Sequence, residues 1–194
     1  MRNRAFLFFA AGLAVVLPAF GFVAEAQTTF DIDPVHSSFI FRIQHLGVSY
    51  AYGRFNESSG SFVLDAADPS KNRVEIEVKT ESIDTANEAR DKHLKSPEFF
   101  DTAKFPVMTF KSTSFKKKDD THFEVAGDLT IRGVTRPVTT TAELAGQGKG
   151  MKGETRAGLE AVFTIDRRDF GMDAMVGPIG AEVRITVSLE GVAK

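Results

Sequence analysis

The sequence predicts an all-β domain: an antiparallel sheet of about eight strands, closed as a barrel or folded as a sandwich, with one short helix inserted. Three observations carry this. Apolar and polar residues alternate at period two along most of the chain, and short turn signals separate the alternating runs. One connection, from Ile83 to Pro106, is too long for a hairpin turn and has a helical signature.

The chain opens on Met1-Arg2-Asn3-Arg4, runs apolar from Ala5 to Val23 and closes on Ala24-Glu25-Ala26. A basic start, a short apolar core and an A-x-A end read as a secretory signal peptide over residues 1–26, cleaved after Ala26. Pro18 and Gly21 interrupt the apolar run, which argues for cleavage over anchoring. Residues 27–194 form a single mature domain, with the periplasm as the expected location.

Loss of Arg2, Arg4 and Glu25 takes the formal charge from −2 to −3, so nucleic acid is not an expected partner. The basic run Lys116-Lys117-Lys118 is followed at once by Asp119-Asp120, as on a solvated hairpin tip. Without cysteine, disulfides, thiol nucleophiles and thiolate metal sites are excluded.

The first strand of the mature domain with a readable face is Ser38 to Gln44, where Phe39, Phe41 and Ile43 oppose Ile40 and Arg42; the Phe39 face is assigned to the interior. After the turn Asp65 to Asn72, Val74, Ile76 and Val78 alternate with Arg73, Glu75, Glu77 and Lys79. In the long connection, Thr85-Ala86-Asn87-Glu88 fits a capping box with Thr85 as cap, followed by a helix to about Lys95 that Pro97 stops. Ala86, Ala89, Arg90, His93 and Leu94 share one face of it, and Phe99-Phe100 and Phe105 follow as core plugs.

Beyond Met108 and Phe110, further strands follow. Phe123, Val125, Leu129 and Ile131 keep one parity, and it recurs in Leu159, Ala161, Phe163 and Ile165. Turns are expected at Lys116 to Thr121, Arg132 to Thr135 and Gly146 to Gly153. The last strand alternates Val183, Ile185, Val187 and Leu189 with Glu182, Arg184, Thr186, Ser188 and Glu190. Solvated outer faces and hairpin connections make the sheet antiparallel.

Several blocks are those of a known family: Asp33-Pro34-Val35-His36-Ser37, Ser82-Ile83-Asp84-Thr85, Arg90 through Asp101, Phe105 through Ser112, Gly127 through Val138, and Ile165 through Met172. On these blocks the chain resembles the YceI-like family of bacterial periplasmic proteins over essentially the whole mature domain. The resemblance implies a lipocalin-like barrel of eight antiparallel strands with a polyisoprenoid, such as an isoprenoid quinone, in its lumen. It implies storage or transport, with no cofactor beyond the bound lipid and no catalytic residues. Some relatives are described as binding other amphiphiles, including fatty-acid derivatives.

The expected lumen residues are Phe39, Phe41, Ile43, Val74, Ile76, Val78, Met108, Phe110, Phe123, Val125, Phe163, Ile165, Val183 and Ile185. Thirteen of the eighteen phenylalanines lie beyond the leader, and a phenyl ring offers apolar surface with no polar group to satisfy. The mouth or headgroup candidates are Arg90, His93, Phe99, Phe100, Phe170, Met172 and Met175. The Phe170 to Gly180 loop, with two methionines and glycines, suits an adaptable lip, and His45 to Gly53 has a similar character.

Arg42 and Arg167, near strand ends, are further headgroup candidates, with surface ion pairing their ordinary role. None of His36, His45, His93 and His122 has the spacing of a zinc site. Asp169-Phe170-Gly171 imitates a kinase triplet without the rest of a kinase. Two rivals stand beside a lipid carrier that also makes transient membrane contact. One is an enzyme acting on a lipid headgroup through His93, Asp91 and Arg90; the other is a ligand-free structural or stress-related barrel. The sequence leaves a homodimer open.

Overall fold

The computed structural model describes residues 27–194, and the signal peptide read from residues 1–26 lies outside them. The strands are β1 (Thr28–Ile32), β2 (Ser38–His45), β3 (Ser49–Phe55), β4 (Ser58–Leu64), β5 (Arg73–Lys79) and β6 (Ile83–Asp84). After the helix α1 (Glu88–Leu94) come β7 (Val107–Lys117), β8 (His122–Ile131), β9 (Val134–Lys149), β10 (Thr155–Asp166) and β11 (Ile179–Ala193).

These segments make eight ribs, because three ribs are broken. β1 and β2 lie end to end along one edge of β11, β4 and β3 lie along those two, and β5 and β6 follow. Each later rib is antiparallel to the one before it, and β11 closes the ring between β10 and the β1–β2 rib. The domain is a closed eight-stranded antiparallel barrel, which resolves the choice between barrel and sandwich.

At the break between β1 and β2 the backbone of Glu190 on β11 still finds partners. The Asp33 amide donates to the Glu190 carbonyl at 2.8 Å, and the Glu190 amide donates to Ser37 Oγ at 3.0 Å. At this end the interior is filled: Phe30 and Phe62 are fully buried and stack with centroids 5.0 Å apart. Gly191 makes room for them, since a Cβ there would fall 2.5 Å from Phe62 Cε1. Burying a phenylalanine side chain is worth about 1.5–3 kcal/mol, so this plug anchors ring closure.

At the other end the wall is incomplete. β6 pairs with β3 only at Arg54 and Phe55, so among the described residues no strand covers the outer edge of β3 from Ser49 to Gly53. The connection carrying α1 passes here, with Phe100 edge-on to Phe55 at 5.4 Å and Leu94 packed on the core.

Two expectations are corrected. The helix is capped by Asn87, whose side chain accepts from the Arg90 amide at 2.9 Å, and Ala86 before it is left-handed at φ 57°. Thr85 cannot cap because it donates to Asp91 Oδ1 and accepts from Arg90 Nε. The Gly146 to Gly153 hairpin is also shorter than expected. β9 runs to Lys149, Gly146 and Gly148 pair within the sheet, and a register shift beside Gly158 absorbs the irregularity.

The candidate lipid cavity

Inside the barrel lies a cavity of about 730 Å³, walled mainly by apolar side chains. That volume is within the range of small-molecule sites, ~300–1,000 Å³. Its wall on β11 extends from Ile179 to Leu189, which at ~3.4 Å per residue and a tilt of about 40° makes a slot on the order of 25 Å long.

The alternation read from the sequence positions the wall. Phe39, Phe41 and Ile43 of β2 face it, as do Val74, Ile76 and Val78 of β5. Met108 and Phe110 come from β7, Val125 from β8, Phe163 and Ile165 from β10, and Val183 and Ile185 from β11. Phe123 is the exception among the expected lumen residues. It is buried against Phe115, with ring centroids 6.3 Å apart, and does not reach the cavity. The wall also takes residues not named in advance, among them Phe55, Phe115, Val138, Thr140 and Ala142. On β9 their signal was present, since Val138, Thr140 and Ala142 alternate with Thr139 and Thr141, but threonine on both faces hid it.

The helix brings Ala89, Arg90, His93 and Leu94 to the cavity margin, with Phe99 and Phe100 behind them. Arg90 is turned on its own chain, donating through Nε to Thr85 Oγ1 at 2.8 Å and through Nη2 to the Thr85 carbonyl at 2.6 Å. His93 Nε2 lies 2.8 Å from Glu98 Oε2, and its ring is edge-on to Phe99. Asp91 faces Thr85 instead, accepting from its amide at 2.9 Å and its hydroxyl at 2.5 Å. Of the three residues of the enzyme reading, Arg90 and Asp91 are both engaged by Thr85 while His93 pairs with Glu98, so they do not converge on one point.

Arg167 corrects the sequence reading most. It is 3% exposed, and among the described residues it forms no ion pair. Its guanidinium reaches the cavity wall and donates to the carbonyls of Met172 at 2.6 Å, Ala174 at 2.8 Å, Gly180 at 2.9 Å and Ile179 at 3.3 Å. Burial draws its pKa down, opposed by the charges of Asp166 and Asp173. One side chain thus staples the whole lip loop. Of that loop, Met172 is buried on the wall and Met175 is half exposed at the mouth. Phe170 is buried beside Leu129 and Ile131 and does not reach the cavity, a second correction.

Comparison with known proteins agrees with this architecture. Residues 30–191 match the family model of the YceI-like domain. The proteins named YceI of Salmonella arizonae and Salmonella heidelberg are each 44% identical over 180 residues, covering 93% of this chain and 94% of theirs. Among solved structures, Burkholderia cenocepacia BcnA superposes with a TM-score of 0.75 at 20% identity, covering 82% of this chain and 98% of that one. Campylobacter jejuni YceI gives 0.71 at 29% identity, over 78% of this chain and 90% of its own. A polyisoprenoid binding domain from Saccharophagus degradans, implicated in plant cell wall breakdown, gives 0.67 at 17% identity, over 85% and 98%.

Proposed function

Because the chain belongs to the YceI-like family, we propose that this lipid-binding barrel holds a long polyisoprenoid, such as an isoprenoid quinone, or a similar amphiphile in its lumen and stores or transports it in the periplasm. One observation carries the reading: a slender apolar cavity runs inside a barrel whose inward positions are otherwise packed.

Removing hydrocarbon from water is worth roughly 0.8 kcal/mol per CH₂, so a polyprenyl tail is strongly driven into such a space from water. From a bilayer that drive nearly vanishes. The barrel must then compete by enclosing the chain and packing against it, and exchange requires transient contact with the membrane. The polar groups at the mouth, Arg90 and His93, would sit beside the headgroup.

The test is titration of lipid-stripped protein with an isoprenoid quinone. Saturation at one molecule per barrel supports the carrier; no uptake favours a barrel with no ligand. His93→Ala separates the carrier from the enzyme acting on a headgroup. A carrier keeps tail binding with at most a modest loss, whereas an enzyme keeps binding and loses turnover.

A further inference from the structure

Resting on the lipid-carrying reading, we propose that the outer face of β2, β3 and the end of β11, with the two loop tips beside it, docks on an anionic phospholipid surface and brings the cavity mouth to the bilayer. Three observations combine here.

The first is an uncompensated pair of charges. Arg42 and Arg184 stand directly opposite in the β2–β11 register, on the face turned away from Ile43 and Val183. Like charges so placed repel, and among the described residues neither arginine has a carboxylate within ion-pair distance, although Glu182 shares their face. Arg42 Nε is buried with no hydrogen-bond partner. An anion at this pair would relieve both defects, and lipid phosphates present anions at high density.

The second is the aromatic rim. Tyr52 is opposite Arg42 on β3, and the Arg42 guanidinium lies 4.2 Å from the centroid of Tyr50. Both tyrosines are more than half exposed, at 52% and 57%. Tyrosine beside arginine is the composition that favours the boundary between headgroups and acyl chains.

The third is the pair of apolar tips. Leu46 and Val48 on the β2–β3 hairpin are 59% and 81% exposed, and Met175 and Val176 on the lip loop are also exposed. The Leu46 amide donates to the Pro178 carbonyl at 2.7 Å, which joins the two tips into one edge. Leu46 and Met175 both hold left-handed conformations, at φ 52° and 54°, unfavourable for such side chains. The charges contact phosphates while the tips enter the apolar boundary, and the free edge of β3 opens beside them.

The experiment is flotation of purified protein with phosphatidylcholine vesicles with and without phosphatidylglycerol, alongside native mass spectrometry of its cargo. None of Arg42, Leu46, Val48 or Arg184 lines the cavity. The parent should float with the anionic vesicles, and rising salt should weaken it. Replacing both arginines, R42Q with R184Q, should lower partitioning roughly 25-fold, about fivefold for each charge, while cargo is retained. V48S should weaken flotation without changing cargo. A parent that does not float, or variants that float equally well, would overturn the proposal. So would a parent that sediments as a dimer and becomes monomeric on V48S without vesicle binding, since the patch would then serve self-association. Free phosphate that abolishes flotation at matched ionic strength would reassign the arginine pair to a soluble anion. A barrel without cargo in every preparation would sink the carrier reading, while flotation alone decides the docking surface.

Discussion

The Phe41 ring lies so close to Gly53 on the neighbouring strand that a Cβ at residue 53 would fall 2.3 Å from Phe41 Cζ. The same Cβ would meet Thr85 Cγ2 at 2.7 Å, so β2, β3 and the start of the helical connection converge on a position that only glycine fits. Gly53→Ala should therefore destabilise the barrel by about 1–3 kcal/mol, the range of overpacking. Urea unfolding measures it. Adding Phe41→Leu should recover part of the loss, and a double mutant no more stable than Gly53→Ala would show that the ring is not the obstacle.

Arg167 should govern the lip. Its four carbonyl partners all lie between Met172 and Gly180, and they lose their donor together in Arg167→Met. A loss of about 2–4 kcal/mol is expected, because hydrogen bonds from charged donors are the stronger kind and buried acceptors would be left unpaired. Hydrogen exchange followed by mass spectrometry should show the lip opening faster than the remaining strands. Uniform protection across lip and barrel would contradict the staple.

Asp33 ties the β1–β2 break to the barrel. Hydrogen bonds from His36 and then Arg156 hold its carboxyl well below the usual carboxylate range. The folded pKa is depressed, so the stabilisation is fully present above the unfolded value of 3.8 and is lost as pH falls below it toward the folded pKa. The parent's stability advantage over Asp33→Asn should hold steady down to about pH 5 and shrink below about pH 4. Denaturant titrations at a series of pH values test the sign; an advantage growing toward low pH would be the wrong one.

Ala161 offers a way to fill the cavity without disturbing the ring. It lines the wall on β10 opposite Val187 of β11. Ala161→Phe should leave the melting temperature unchanged or higher and reduce lipid uptake, as calorimetry and quinone titration would show. Undiminished uptake would place the ligand elsewhere.

Much of this was legible from alternation, because a barrel with one solvated face writes its register into the chain at period two. Val74 to Val78 and Val183 to Leu189 show it plainly, and the Phe39 face is the interior one. What alternation cannot show is where along a rib the interior stops being hollow. Phe123 keeps the inward parity, yet it lies where the rings of Phe115 and its neighbours fill the barrel. The sequence does not distinguish the helix cap because Thr85 and Asn87 are both competent; Asp91, six residues after Thr85, draws Thr85 away from that role. The role of Arg167 is not visible in the sequence because its partners are backbone carbonyls of a following loop, which no side-chain pattern encodes.

Native mass spectrometry of the purified protein, with organic extraction and identification of what is released, decides whether the cavity holds an isoprenoid lipid. A single isoprenoid per barrel is predicted. A bare barrel that also refuses added isoprenoid quinone would contradict the account.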